Sequence, residues 1–319
     1  MTKAVRVGVV GLGGMGRAHA GNIAKIDGFE LVGAADPSPP AQAWAAEQNI
    51  TCFSSHVDLI EKMHPDALVV ASPSNTHGRV VTDACEQGIH VFCEKPLTTE
   101  FSEALRVIRR VEASGIVFSI GLVLRHTPVY VKARELLERG EIGQVSLGDC
   151  RYGGMLLGRA TYVFSRELGR GLINEHTIHM IDVMDFLLGP VESVYAAYDA
   201  SESHTEYNAS VLMKNSTGSF TSICASGITH LPSHAWITGM EGEMIIEGNT
   251  RLSIRDEDGE KELLSSGLGY REELEEFRDA ILGRGDVTTG IEVAESCSRL
   301  IEAIYRSAES GKTQIPDSL

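Results

Sequence analysis

The chain has little of what would mark a nucleic-acid-binding, membrane-bound or secreted protein. Basic residues are scarce: across 319 residues, 28 Lys and Arg stand against 44 Asp and Glu, for a formal net charge of −16. That balance disfavours a polyanionic surface as partner, whether nucleic acid or anionic lipid. No apolar run approaches the roughly 20 residues of a membrane-spanning helix. The cysteines (52, 85, 93, 150, 224 and 297) are scattered and contain no C-x-x-C pair. They read as reduced, mostly buried thiols, not as a disulfide framework. Met1-Thr2-Lys3 leads directly into the first apolar run, so no signal peptide is expected and the expected location is the cytoplasm. The Asn-x-Ser/Thr matches at Asn208 and Asn215 are then incidental. Internal repeats and low-complexity stretches are also missing.

What is present begins at the N-terminus. A β-branched run, Ala4-Val5-Arg6-Val7-Gly8-Val9-Val10, enters Gly11-Leu12-Gly13-Gly14-Met15-Gly16 and then a helix-like segment. In a G-x-G-x-x-G turn, the first glycine permits the tight turn and the second lets the backbone approach a pyrophosphate. The third lets the helix pack closely on the strand. The helix N-terminus offers unpaired N–H groups and a partial positive charge to the anion. A second apolar run, Glu30-Leu31-Val32-Gly33-Ala34-Ala35, ends at Asp36, whose carboxylate suits the ribose hydroxyls of an adenine dinucleotide. A 2′-phosphate beside Asp36 would place like charges together, and Pro37-Ser38-Pro39-Pro40 supplies no cation to offset them. The pattern therefore predicts NAD in preference to NADP.

Up to residue 121 strands and helices alternate. Further strands are predicted at 67–71, 89–93 and 117–121, with helices near 55–62, 76–87 and 98–114. Such alternation predicts a doubly wound parallel sheet of the α/β class, a Rossmann domain over 1–121. From 122 to 319 the style changes. A helix near 128–139, a strand near 145–152 and an apolar helix over 174–188 precede strands near 192–199, 205–214, 218–226, 234–240, 243–247 and 250–255. The short spacing predicts an antiparallel meander, hence an α+β domain with an open sheet. Helices near 270–283 and 291–309 close the chain and are free to pack back on the Rossmann domain.

Three clusters could carry chemistry. Ser72-Pro73-Ser74-Asn75-Thr76-His77 follows the strand ending at Ala71, so Ser72, Asn75 and His77 fall at a carboxyl edge where a cofactor would cross, although these are also ordinary turn residues. Glu94-Lys95-Pro96 occupies the next such edge. Lys95 could titrate there or donate a hydrogen bond to a substrate oxygen. In the third, Glu175, His179 and Asp182 make an i, i+4, i+7 stripe on an apolar helix, which requires partners or a polar cavity. A core histidine satisfied by an acid is the plainer alternative. Metal ligation by Glu175, His176 and His179 is a weaker one, because the spacing is not that of H-E-x-x-H and His176 lies around the helix from the other two.

With those residues in place, the chain resembles the Gfo/Idh/MocA oxidoreductases, the family of glucose–fructose oxidoreductase and inositol 2-dehydrogenase. The resemblance rests on Gly11-Leu12-Gly13-Gly14-Met15-Gly16, Ser72-Pro73-Ser74-Asn75-Thr76-His77, Glu94-Lys95-Pro96 and the stretch Gly171-Leu172-Ile173-Asn174-Glu175-His176-Thr177-Ile178-His179. It implies a Rossmann domain followed by an open-sheet domain often used for oligomer contacts, here a homodimer or homotetramer. It also implies NAD-linked oxidation of a sugar or polyol hydroxyl, with Lys95 and His179 as the family's active-site lysine and histidine. Many members have Asp where this chain has Glu175, and a triple glycine where it has Gly169-Arg170-Gly171. The longer Glu175 and the added Arg170 are expected to reshape the pocket relative to those members.

The expected site therefore has Lys95, Glu175 and His179 as catalytic residues. Gly11 to Gly16, Asp36, Ser72, Asn75, His77, Glu94 and Lys95 would line the cofactor, and no metal is expected. His179 is the expected base and Lys95 the stabiliser of the reacting oxygen, although the two could exchange roles. Loops near 122–127, 151–171 and 228–236 supply the substrate candidates Arg125, Tyr152, Arg170 and Trp236, with His126 beside Arg125, and His176 on the apolar helix is a further one. A redox-assisted NAD-dependent glycosidase and a non-catalytic NAD sensor are the competing readings.

Overall fold

A computed structural model of the chain describes residues 4–158, 160–200 and 205–318. The lead segment 1–3 and residue 159, inside the loop predicted at 151–171, lie outside the described residues. The chain divides into two compact units, Met1–Gly121 with Tyr270–Glu295, and Leu122–Gly269 with Ser296–Leu319.

In the first unit, short apolar runs become strands because helices cover both faces and most of their side chains are buried. They are β1 (Val5–Val10), β2 (Phe29–Ala35), β3 (Cys52–Phe53), β4 (Ala67–Val70), β5 (His90–Glu94) and β6 (Phe118–Gly121). Between them run α1 (Gly14–Ile23), α2 (Pro39–Glu47), α3 (His56–Met63), α4 (Ser74–Glu86) and α5 (Phe101–Ser114). The sheet is all parallel in the order β3-β2-β1-β4-β5-β6. Strand order reverses between β1 and β4, and a ligand crevice is expected there, beyond the strands' carboxyl ends. Helix ends follow local chemistry. The Ser55 hydroxyl caps α3 by accepting from Asp58 N, and α5 stops at Gly115 in the left-handed conformation. A helix distant in sequence, α8 (Tyr270–Ile281), completes this core. Its Leu274 and Phe277 are fully buried in the cluster that holds Val7, Val9 and Phe92.

The second unit has α6 (Pro128–Glu138), β7 (Val145–Gly153), a π-helical turn at Ile173–Thr177, α7 (Ile178–Leu188) and seven further strands. Those are β8 (Val191–Tyr198), β9 (Asn208–Asn215), β10 (Phe220–Ser226), β11 (His234–Gly239), β12 (Glu243–Glu247), β13 (Arg251–Asp256) and β14 (Gly259–Ser265). The last helix is α9 (Ile291–Ser310). The sheet order is β14-β13-β12-β11-β7-β10-β9-β8. The meander expected from spacing is therefore interrupted: β7 lies between β10 and β11, antiparallel to β11 but parallel to β10. A helical stretch follows β7, and a strand can acquire a parallel neighbour only through such a long crossover. Alternation along β7 to β11 buries one face (Cys150, Tyr152, Val211, Ile223, Ile237) and leaves the other open. The strand β14 escaped prediction because nearly every residue in it is exposed and no alternation survives. Among the described residues, no helix is long and apolar enough to cross a membrane.

Candidate active site

The crevice at the β1–β4 switch point is built from the glycine turn outward. Gly11 sits at φ +91°, a conformation L side chains rarely adopt, and a Cβ there would lie 2.5 Å from the Ser72 backbone. A Cβ on Gly16 would lie 1.8 Å from the Gly11 carbonyl oxygen, so α1 reaches the strand end only because residue 16 has no side chain. Leu12 is buried, and its N–H donates to Asp36 Oδ2 at 2.8 Å, while Ser38 N–H donates to Asp36 Oδ1 at 2.8 Å. Asp36 is thereby fixed at the end of β2, with lone pairs remaining on both oxygens. No side chain caps the N-terminus of α1, so its first N–H groups are available to an anion. Beside this turn opens a cleft of about 580 Å³ whose walls include Gly11, Asp36, Ser38, Ser55, Thr76 and Arg79. A closed glycine turn, an uncapped helix end and an oriented carboxylate beside a cleft fit a dinucleotide.

Two residues on that wall had escaped the sequence reading: Arg79 on α4 and His56 at the start of α3. Both are held by Asp83, His56 Nε2 at 2.7 Å and Arg79 Nε at 3.7 Å. No local pattern links them to Asp36; only the parallel order of the sheet does.

The neighbouring strand ends are tied together by backbone contacts. His77 is buried, with Nδ1 at 2.8 Å from the Pro96 carbonyl and Nε2 at 2.8 Å from the Ser72 carbonyl. Burial pushes its imidazole below the usual range against the pull of those carbonyls. His77 thus joins the two loops, while Asn75 is exposed. Glu94 is buried, pairs with His19 Nε2 at 2.7 Å through Oε1, and accepts Lys95 N–H at 3.3 Å on Oε2. Burial alone would raise the Glu94 carboxyl, but the hydrogen bond from His19 and the charges of His19, Lys95 and His77 hold it below its ordinary value. Lys95 is half-buried at this edge.

In the second unit a different constellation forms. The π turn at Ile173–Thr177 starts the apolar helix, and Glu175 is buried within it. Tyr152, on the inner face of β7, stacks on His176 with centroids 4.5 Å apart and meets His179 edge-on at 6.4 Å. His176, set aside in the helical projection, therefore joins His179 through a shared tyrosine. Residues three apart are neighbours along a helix.

Other expected residues are placed elsewhere. Asp182 does not extend a Glu175–His179 stripe but accepts a bidentate pair from Arg125, with Nη2 at 2.8 Å and Nε at 3.0 Å. Arg125, which also lies 3.5 Å from Asp185, is engaged by two acids. Burial raises the Asp182 carboxyl despite Arg125, and burial together with Asp182 lifts Asp185 to about 6. Arg170 holds φ +66°, pairs with Glu302 at 2.6 Å and covers the Tyr305 ring at 4.4 Å. The buried Glu206 below it accepts Ile173 N–H and Tyr305 O–H, each at 2.8 Å, which anchors the entry to the π turn. Trp236 lies on the open face of the sheet, opposite Asp149 in register, whereas Tyr152 lies on the buried face.

Comparison with known proteins agrees with this geometry. Residues 5–122 match the Gfo/Idh/MocA oxidoreductase family domain with its NAD-binding Rossmann fold, and residues 130–245 match the Gfo/Idh/MocA C-terminal domain. The chain thus carries both domains of an oxidoreductase family with an NAD-binding Rossmann fold. The chain belongs to the Gfo/Idh/MocA family. It is similar to scyllo-inositol 2-dehydrogenase (NAD(+)) of Bacillus subtilis (strain 168), 31% identical over 194 residues, which cover 59% of this chain and 55% of that one. It is also 32% identical over 212 residues to inositol 2-dehydrogenase of Corynebacterium glutamicum (strain R), covering 64% and 60% of the two chains. The chain thus spans little more than half the length of these relatives. Levoglucosan dehydrogenase, solved with NADH and levoglucosan, shares the fold at TM-score 0.90 with 20% identity, over 98% of this chain and 99% of that one.

The Arg125–Asp182 pair carries a testable consequence. Arg125→Ala strands a buried carboxylate and is expected to cost about 3–5 kcal/mol. Urea unfolding checks this, and a loss under about 1 kcal/mol would show that the pair is not the anchor of α7.

Proposed function

We propose that this protein is an NAD-dependent dehydrogenase that oxidises a secondary hydroxyl of a sugar or polyol, inositols included, or runs the reverse reaction. The observation that carries the reading is Asp36, fixed by Leu12 and Ser38 N–H groups at the mouth of the glycine turn. Relatives named inositol 2-dehydrogenase support the substrate class. Bound NAD would supply the hydride acceptor. Asp36 would hold the adenosine ribose, the N-terminus of α1 the pyrophosphate, and the Ser72 and Glu94-Lys95 loops the nicotinamide side. His179 accepts the hydroxyl proton, since an imidazole titrates near neutrality and Tyr152 fixes the edge of its ring. Lys95 donates a hydrogen bond to the reacting oxygen as negative charge develops there. Glu175 binds an adjacent hydroxyl, with Tyr152 and His176 as further substrate contacts. Arg125, Arg170 and Trp236 have no part in this assignment.

The open face of the second unit supports self-association. Tyr195 and Leu212 face one another in register, as do Phe220 and Leu147, and each is 46–53% exposed. An apolar patch of this kind is characteristic of an interface, and we assign it to a homodimer or homotetramer.

Purified protein incubated with NAD and a panel of inositols, aldoses, sugar acids and glycosides is expected to accumulate NADH with one class. His179→Ala should slow that turnover by about a hundredfold to ten-thousandfold with NAD affinity retained. Near-normal turnover removes the role given to His179. Aglycone release without net NADH identifies a redox-assisted glycosidase, and tight NAD binding with no turnover identifies a sensor. Asp36→Ser should narrow the preference for NAD over NADP by about tenfold or more, as like-charge repulsion is lifted; an unchanged ratio places the ribose elsewhere. For the sheet face, Leu212→Glu with Phe220→Glu should give monomers in sedimentation velocity, and an intact oligomer moves the interface off this face.

A further inference from the structure

A cluster of acid and imidazole side chains lies within the first unit, behind the Glu94-Lys95 turn. His19 on α1, Glu94 at the end of β5 and Glu273 on α8 are 0%, 8% and 1% exposed, and one nitrogen or oxygen from each lies within 4.8 Å of the others. Their hydrogen bonding is uneven. His19 Nε2 pairs with Glu94 Oε1 at 2.7 Å, and Glu94 Oε2 takes the Lys95 N–H. Both oxygens of Glu273 and Nδ1 of His19 are sealed from solvent with no hydrogen-bond partner. A second ionised carboxylate in this position would be desolvated, unpaired and repelled by Glu94, which no fold sustains cheaply. A carboxylic acid removes that second charge and leaves Glu94, paired with His19 Nε2, as the one ionised acid of the cluster.

We propose that Glu273 is a buried, uncharged carboxylic acid at neutral pH, a positioning residue that keeps a second negative charge away from the His19–Glu94 pair behind Lys95. The surroundings agree. Facing Glu273 are His19 from α1, Glu94 from β5 with Lys95 next to it, and Tyr270, Glu272 and Glu276 on α8 itself. Burial and the neighbouring acids Glu94, Glu272 and Glu276 push the Glu273 carboxyl well above its ordinary value. Lys95 adjoins Glu94, so the proton on Glu273 also leaves one negative charge, not two, behind that lysine.

The test needs neither substrate nor cofactor and so stands apart from the proposed activity. A carboxyl raised by folding makes the folded chain hold one proton more than the unfolded chain. Stability is then fully present below the unfolded value, about 4.3, and falls as pH rises toward the folded value. Glu273→Gln keeps the shape and a donor but cannot ionise. Its folding constant relative to the wild type, from urea unfolding between pH 5 and 8, is expected to rise by about tenfold per pH unit. The infrared carbonyl band of a protonated carboxyl, present in the wild type at pH 7, is expected to be missing from the variant. Should Glu273→Gln not fold, Glu273→Leu gives the same two comparisons. A pH-independent difference with the variant weaker throughout, or an unchanged carboxyl band, overturns the proposal. So does stoichiometric bound metal that Glu273→Gln loses, since the cluster would then hold a cation between two ionised acids.

Discussion

The first unit depends on the contact between Gly16 and the Gly11 carbonyl. A Cβ at residue 16 would fall 1.8 Å from that oxygen, so a hydrogen there lets α1 lie against the end of β1. Three consequences follow from this approach. The turn closes tightly enough for Leu12 N–H to reach Asp36 on the neighbouring strand. The uncapped start of α1 opens beside the cleft that holds Asp36. One turn further along the helix, His19 reaches Glu94, two strands away on β5. A single missing side chain thus aligns the dinucleotide cradle and the support behind Lys95.

The second theme is how a strongly acidic chain keeps carboxylates inside. Each of these acids is treated differently. Asp36, half-buried, is held by backbone N–H groups, which satisfy a carboxylate without a countercharge. Glu94 uses an imidazole, and Asp182 a bidentate guanidinium under low exposure. Glu206 takes a backbone N–H and a tyrosine hydroxyl, and burial leaves it raised. Burial raises the Asp182 and Glu206 carboxyls against the pull of their partners, whereas His19 and the neighbouring charges hold Glu94 below its ordinary value. These acids also anchor elements: Asp182 ties α7 to the 122–127 loop, and Glu206 ties the π turn to α9.

What was legible in the sequence is what repeats locally or is set by one turn. The parallel strands were legible because burial of most of their side chains makes them continuous apolar runs, and Asp36 because it ends such a run at a fixed distance from the glycine turn. The two-residue β3 and the exposed β14 carried too few or too polar residues to register. The insertion of β7 between β10 and β11 is a tertiary choice that spacing cannot encode. Arg79 and His56 reach the cleft wall through strand order, and Glu273 reaches His19 from a helix some 250 positions away in the chain, read from their numbers. Arg125 illustrates the same limit: its acid partner lies on a separate helix, and no local pattern joins the two.

The apolar helix that begins at Ile173 shows why a helical projection was insufficient. The first turn there is π-helical, a geometry that is rare and is found preferentially at functional positions. Projection assumes a constant rotation per residue, and a turn bonded i to i+5 breaks that assumption where Glu175 and His176 lie. Asp182, one turn beyond His179, is withdrawn into an ion pair, while His176 and His179 both rest on Tyr152. The polar groups of this helix therefore divide by depth: an acid–guanidinium pair locks the far end, and imidazoles braced by an aromatic ring occupy the near end. In the proposed reaction the near end carries the imidazole that takes the proton, and the far end carries the ion pair that ties the helix to Arg125.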